Sequence, residues 1–279
     1  MYIGIHLSGS NSQRTSVVSS QRVNNSDAAS VKVERVYEHI GSMDLVHSDK
    51  RLLDIIAYEK PSADLFTDVP LQAPPCVRCR LEVCPGIERC ETVAVAYMSK
   101  LKDKRPGLRR RNRLFNPQSQ RLWDCYKWSH NEFSRMEPSY NPAKSPLVVR
   151  ARVLQKQLKG QNTPVSLKET SVPHFLFRWA KQGLIPPDSA TYYKRFSDGS
   201  SHRRLIVHSL VEKGLLLFGA SGDKTKITDS VDLFCALICS YASSLFHCGH
   251  LEIPPETIFN EEGWVYLPRP LSDAAGQTG

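Results

Sequence analysis

Tyr2 to Ser8 alternates, with Ile3, Ile5 and Leu7 on one side and Tyr2, Gly4, His6 and Ser8 on the other, which predicts a strand. Arg14 to Val23 and Val31 to Ile40 are rich in β-branched residues and flank the turn cluster Asn24-Asn25-Ser26-Asp27, so three consecutive antiparallel strands are expected. Ser48 then precedes a segment in which Leu52, Ile55, Ile56 and Glu59 fall at helical spacing, and Pro61 supplies the stop. Ala63 to Leu71 is a short apolar run ended by prolines, the pattern of a fully buried strand. After a long interruption the alternation resumes with a strand over Val165–Val172 and a helix over Phe175–Gln182 closed by Gly183. A helix over Ser201–Lys213 ahead of Gly214 follows, then a long apolar helix from about Asp229 to just before Gly249, and a last strand over Gly263–Leu267. Strands alternating with helices predict an α/β fold.

The interruption has a different composition. Residues 74–164 carry four crowded cysteines, a basic run, several prolines and the aromatic stretch from Trp123 to Phe133, and they are expected to form an insertion with a small structure of its own. The core then comprises residues 1–73 and 165–271, followed by a polar tail over 272–279 that is expected to be disordered. No internal repeat is visible. The chain has 279 residues, 41% of them hydrophobic, enough for a sizeable core. The most apolar stretch, Leu233 to Phe246, contains four Ser or Tyr residues and is expected to be a buried helix rather than a membrane span. The first residues lack the basic and apolar regions of a secretory signal, so the expected location is cytoplasmic, with no membrane partner. Oligomeric state is left open.

In an α/β sheet the strands present their carboxyl ends to a shared crevice where ligand chemistry gathers. Asp68 lies at the end of the fourth expected strand, Glu169 within the fifth, and Asp229 and Asp232 at the start of the long apolar helix. Each has a plainer reading as well: Asp68 as a turn former, Asp229 and Asp232 as a helix cap and a complement to the helix dipole, Glu169 as a solvated strand residue.

Six segments in order resemble the DUF429 family. They are GIHLSG at 4–9, FTDVPLQ at 66–72, KETSVPH at 168–174, SHRRLIVHSLVEKGLL at 201–216, DSVDLFCALICSYASSL at 229–245 and EEGWVYLP at 261–268. FNPQSQRLWD at 115–124, inside the insertion, is similar too. The family is regarded as nucleases with an RNase H-like fold, so the resemblance implies an RNase H-like mixed sheet flanked by helices, here with a cysteine-bearing insertion. It implies metal-dependent hydrolysis of nucleic-acid phosphodiesters, with catalytic positions at His6, Asp68, Glu169 and Asp232. Asp68 and Asp232 are then ligands of magnesium or manganese, the ions activating a water and stabilising the leaving oxygen.

The departure is His6, where the family pattern has aspartate. An imidazole in place of a carboxylate removes a negative charge and exchanges a hard oxygen for a borderline nitrogen, which disfavours magnesium and suits manganese or zinc better. The chain then reads as an enzyme with altered metal preference, as a weakened or inactive scaffold that binds nucleic acid, or as a deliberately disabled variant. A sheet histidine hydrogen-bonded in the core is the plain alternative.

Cys76, Cys79, Cys84 and Cys90 are spaced C-x2-C-x4-C-x5-C, which suits four thiolates around one tetrahedral zinc. An iron-sulfur cluster is the rival, since Pro85 follows Cys84, and unmetallated cysteines are the plain alternative. Cys235 and Cys239 fall on an apolar helix and are expected to be small core residues. Residues 100–114 hold eight lysines and arginines against Asp103 alone, which is +7 of the net +9. Lys100, Lys102, Arg109, Arg110, Arg111 and Arg113 are candidates to neutralise phosphates, and Trp123 and Trp128 to stack on unpaired bases. Nucleic acid is therefore the expected partner. A solvated basic loop and a packed aromatic core are the alternatives.

Overall fold

The computed structural model describes residues 1–8, 14–23, 30–41, 45–62, 64–103, 115–130, 145–160 and 165–269. Arg109, Arg110, Arg111 and Arg113, the side chain of Lys102 and the tail over 272–279 lie outside the described residues. The chain divides into two compact units: residues 1–69, 153–253 and 266–279 form one, residues 70–152 and 254–265 the other.

The fold is α/β. Strands β1 (Tyr2–His6), β2 (Ser16–Arg22), β3 (Val31–Tyr37), β4 (Leu65–Thr67), β5 (Leu167–Thr170), β6 (Leu216–Phe218) and β7 (Val265–Tyr266) form a mixed sheet in the order β6-β3-β2-β1-β4-β5-β7. β1 pairs antiparallel with β2 and β2 antiparallel with β3, as expected, while β4 pairs parallel to β1, and β5 parallel to β4. β6, parallel to β3, has no counterpart in the sequence reading, because three residues after Gly214 are too few to show a period.

Helix α1 (Leu45–Glu59) begins ahead of Ser48, so that serine lies within the helix instead of starting it. Its inward stripe is Leu52, Ile56 and Glu59. Glu59 is tolerated there because Tyr37 and Arg35 both donate to its carboxylate. Helix α6 (Val172–Lys181) takes Val172 away from the expected strand, as a proline sits in its first turn, where a missing amide is no loss. Gly183 ends it at φ +68°, and the amide of Leu184 returns to the carbonyl of Trp179.

The long apolar helix, α10 (Val231–His247), is buried along its whole circumference from Leu233 to Leu245. No single helix among the described residues is long and apolar enough to cross a membrane. α10 lies on the β1 face that carries Tyr2, Gly4 and His6. A Cβ on Gly4 would sit 2.0 Å from the carbonyl oxygen of Ala236, so glycine is what allows helix and strand backbones to touch. Ser240 donates to the Tyr2 carbonyl at 3.2 Å and accepts from the Ser20 hydroxyl at 2.6 Å. Two strand residues rise about 6.6 Å and four helix residues about 6 Å. The contact of Gly4 with Ala236 therefore brings His6 to Asp232, one helical turn earlier.

Asp229 does not open this helix. It ends α9 (Ser221–Asp229) and accepts from Arg204 at 2.8 Å, half exposed. The cap is Ser230, whose hydroxyl accepts from the amide of Leu233 at 3.2 Å. Ser230→Ala is expected to lower stability by about 1 kcal/mol, measured by denaturant unfolding.

The second unit is built from α2 (Pro75–Arg78), α3 (Val93–Asp103), α4 (Leu122–Ser129) and α11 (Ile258–Glu262), and α5 (Ser145–Gly160) is the next helix in the chain after α4. Its core is aromatic: Tyr126 stands edge-on to Phe259 at 5.0 Å and to Trp264 at 5.9 Å, and Phe115 edge-on to Trp128 at 5.7 Å.

Candidate functional site

The carboxyl ends of β1 and β4 and the first turn of α10 bring three of the expected residues together. Nδ1 of His6 lies 2.9 and 3.0 Å from the two carboxylate oxygens of Asp68, and Nε2 lies 3.3 Å from Oδ1 of Asp232. Both ring nitrogens are thus engaged by carboxylates, the arrangement of a doubly protonated imidazole donating to each side. Burial by itself disfavours the charged ring, but Asp68 and Asp232 outweigh it and raise His6 to about 10. Burial likewise opposes ionisation of Asp68, yet His6, assisted by Lys194, holds its carboxyl below the usual range.

Glu169 is not drawn into this cluster. In the parallel ladder Ile5 pairs with Thr67 and Thr67 with Glu169, so these three side chains share one face. His6 and α10 belong to the other face, together with Phe66 and Lys168, whose side chains meet the ring of Phe246. The side chain of Glu169, 4% exposed, leaves the sheet on the side opposite α10.

Three residues absent from the expected site adjoin it. Cys235 lies on α10 one turn after Asp232, and its sulfur, a nitrogen of His6 and an oxygen of Asp68 lie within 4.8 Å of one another. Burial, with Asp68 and Asp232 nearby, pushes this thiol well up, so it is protonated at neutral pH. Lys194, just after α7 (Pro187–Tyr192), loses solvation, yet Cys235, Asp68 and Asp232 raise its ammonium above the usual range. Tyr193 is 3% exposed and its hydroxyl has no hydrogen-bond partner among the described residues, while burial and then Cys235, Asp68 and Cys239 push its ionisation well up. Arg203 of α8 (Gly199–Glu212) holds this corner. Its guanidinium donates to the carbonyls of Tyr193, Thr228 and Asp229 at 2.6, 2.8 and 2.8 Å, tying the Tyr193-Lys194 segment to the chain just ahead of α10. Helical spacing from Asp232 could have singled out Cys235. Nothing periodic marks Tyr193 and Lys194.

His6, Asp68 and Cys235 could together hold one metal ion, but their nitrogen, oxygen and sulfur donors are not the all-oxygen set of a magnesium or manganese pair. Those ions ask for several oxygens in near-octahedral array. Here two carboxylates close on one imidazole, Cys235 offers a sulfur, and Glu169 points away. The positive charge that pairs directly with these carboxylates comes from His6.

The aromatic candidates for base stacking are corrected. Trp123 and Trp128 are 3% and 6% exposed, because a small helical unit spends its largest apolar side chains on its own core. Lys100 is exposed on α3. Cys76 and Cys90 are half-buried, and Cys79 and Cys84 are exposed. Burial and then the nearness of Cys90, Cys79 and Cys84 raise the Cys76 thiol, although the four sulfurs are not gathered within 4.8 Å of one another.

Comparison with protein-family models, with curated proteins and with solved structures finds no match to this chain.

Proposed function

We propose that the chain is an RNase H-like protein of the DUF429 type that binds nucleic acid on a scaffold whose metal-dependent nuclease site has been neutralised from within. The fold reading is supported by the strand order β3-β2-β1-β4-β5, with three antiparallel strands followed by two parallel ones and α10 laid across β1. One observation carries the functional reading: His6 bridges Asp68 and Asp232 through both ring nitrogens, at the position where the family pattern has an acid. The ring stands where a cation would have to go. The nucleic-acid reading is supported by the run over 100–114, whose charge of +7 would neutralise phosphates and release counterions.

The test uses labelled single- and double-stranded DNA and RNA. The chain is expected to retain them with an affinity that falls steeply with salt, and Arg109, Arg110 and Arg111 replaced together by Glu are expected to lose most of that retention. No chelator-sensitive cleavage is expected with magnesium or manganese, whereas His6→Asp is expected to gain calorimetrically measurable magnesium binding. Chelator-sensitive cleavage by the native chain that disappears in Asp68→Asn would make it a working nuclease and overturn the neutralised-site reading.

A further inference from the structure

We propose that Cys76, Cys79, Cys84 and Cys90 bind one structural zinc ion that orders the segment from Cys76 to Val93. The segment is anchored at both ends. The amide of Cys76 donates to the carbonyl of Pro117 at 3.0 Å, Arg78 donates to the carbonyl of Ala73 at 2.8 Å and pairs with Glu262, and Thr92 accepts from the first turn of α3. Between those anchors it has no core: no side chain from Cys76 to Val93 is buried, and Leu81 and Val83 are 54% and 81% exposed. A defined path through so many residues costs conformational entropy that apolar burial does not repay here. A metal cross-link is the device small units use instead.

The local backbone is shaped for it. Cys76 and Cys79 flank one tight turn, closed by the Cys79 amide on the Cys76 carbonyl at 3.4 Å. Cys90 ends a second turn, closed on Ile87 at 3.4 Å. Between Cys84 and that turn the chain reverses through Gly86 at φ +87°, a conformation suited to glycine. All four thiols are free. Drawing the sulfurs in around a tetrahedral ion displaces no packed side chain, and binding releases the thiol protons to solvent. With four protein ligands the coordination shell is closed, so the ion holds structure and leaves no position for a substrate.

The full chain, purified under reducing conditions and stripped of metal, is titrated with zinc chloride, with bound zinc read by elemental analysis. Cutting by trypsin after Arg80 and Arg89 is followed in parallel. One zinc per chain is expected, with those two cuts suppressed. Cys79→Ser and Cys84→Ser, both at exposed positions, are expected to lose zinc and protection, whereas Cys248→Ser keeps both. Failure to take up zinc, or undiminished zinc in the Cys79→Ser, Cys84→Ser double variant, overturns the proposal. So does the visible absorption of an iron-sulfur cluster in anaerobically purified protein.

Discussion

Gly4→Ala is expected to leave almost no folded protein. The added methyl carbon would stand 2.0 Å from the Ala236 carbonyl oxygen, 2.1 Å from the Ser240 nitrogen and 2.7 Å from the Cys239 carbonyl carbon. All three are backbone atoms of α10, so no side chain can rotate aside. Either α10 lifts from β1 or β1 leaves the sheet, and both expose the most apolar surface of the first unit. The cost should exceed about 4 kcal/mol, the range of the worst core substitutions, against a total stability of roughly 5–15 kcal/mol. Soluble yield and a circular-dichroism melt give the answer. Gly160→Ala, with nothing within 4 Å of the new carbon among the described residues, serves as the control and should stay close to the native melting temperature. A native-like melt for Gly4→Ala would mean that α10 does not rest on β1 as described.

The second large effect concerns His6. The imidazolium is one side chain serving two carboxylates, of which Asp68 is nearly buried. Removing it leaves Asp68 without its main counter-charge, a loss of about 3–5 kcal/mol for a pair of this kind. His6→Gln is therefore expected to be strongly destabilised at pH 7 in urea unfolding. The folded-state pKa of His6, about 10, lies above the ordinary value of 6.5. Its stabilising contribution is thus complete below about pH 6.5 and is lost as pH rises through 10. Asp68 works in the opposite direction: its pKa is lowered, so its contribution holds above the usual carboxylate range and disappears as the medium becomes acid. The native chain should lose stability relative to His6→Gln between about pH 7 and pH 10, the difference cancelling the titration of other groups. A gap between the two proteins that does not change across that window would mean that His6 is neutral and its bridge is not an ion pair.

Local signals in the sequence were sufficient for much of the framework. β-branched alternation and the Asn-Asn-Ser-Asp cluster describe β1 to β3, and proline and glycine mark where α1 and α6 stop. The mostly apolar run from Leu233, broken only by small hydroxyl residues and one tyrosine, describes a helix buried on every side. These depend on period and backbone preference, which are properties of neighbouring residues. Boundaries were weaker wherever a single residue decided them. Val172 belongs to a helix because Pro173 can occupy its first turn, and Ser230, not Asp229, caps α10.

The site divides in the same way. The sequence by itself placed His6 on a strand, Asp68 at a strand end and Asp232 at a helix start, and marked the four cysteines and the basic run by spacing and charge. It could not say which face Glu169 takes, since a ladder register of one residue sends a strand side chain to the opposite side of the sheet. It also gave no hint that Tyr193 and Lys194 come near Asp68, and for Trp123 and Trp128 it left base stacking and a packed core both open. Those facts depend on contacts between residues far apart in the chain. The close seat of α10 on Gly4 puts Asp232 against His6, and the Arg203 clamp brings the Tyr193-Lys194 segment to the chain ahead of it. Only tertiary packing decided that the acids here meet an imidazolium.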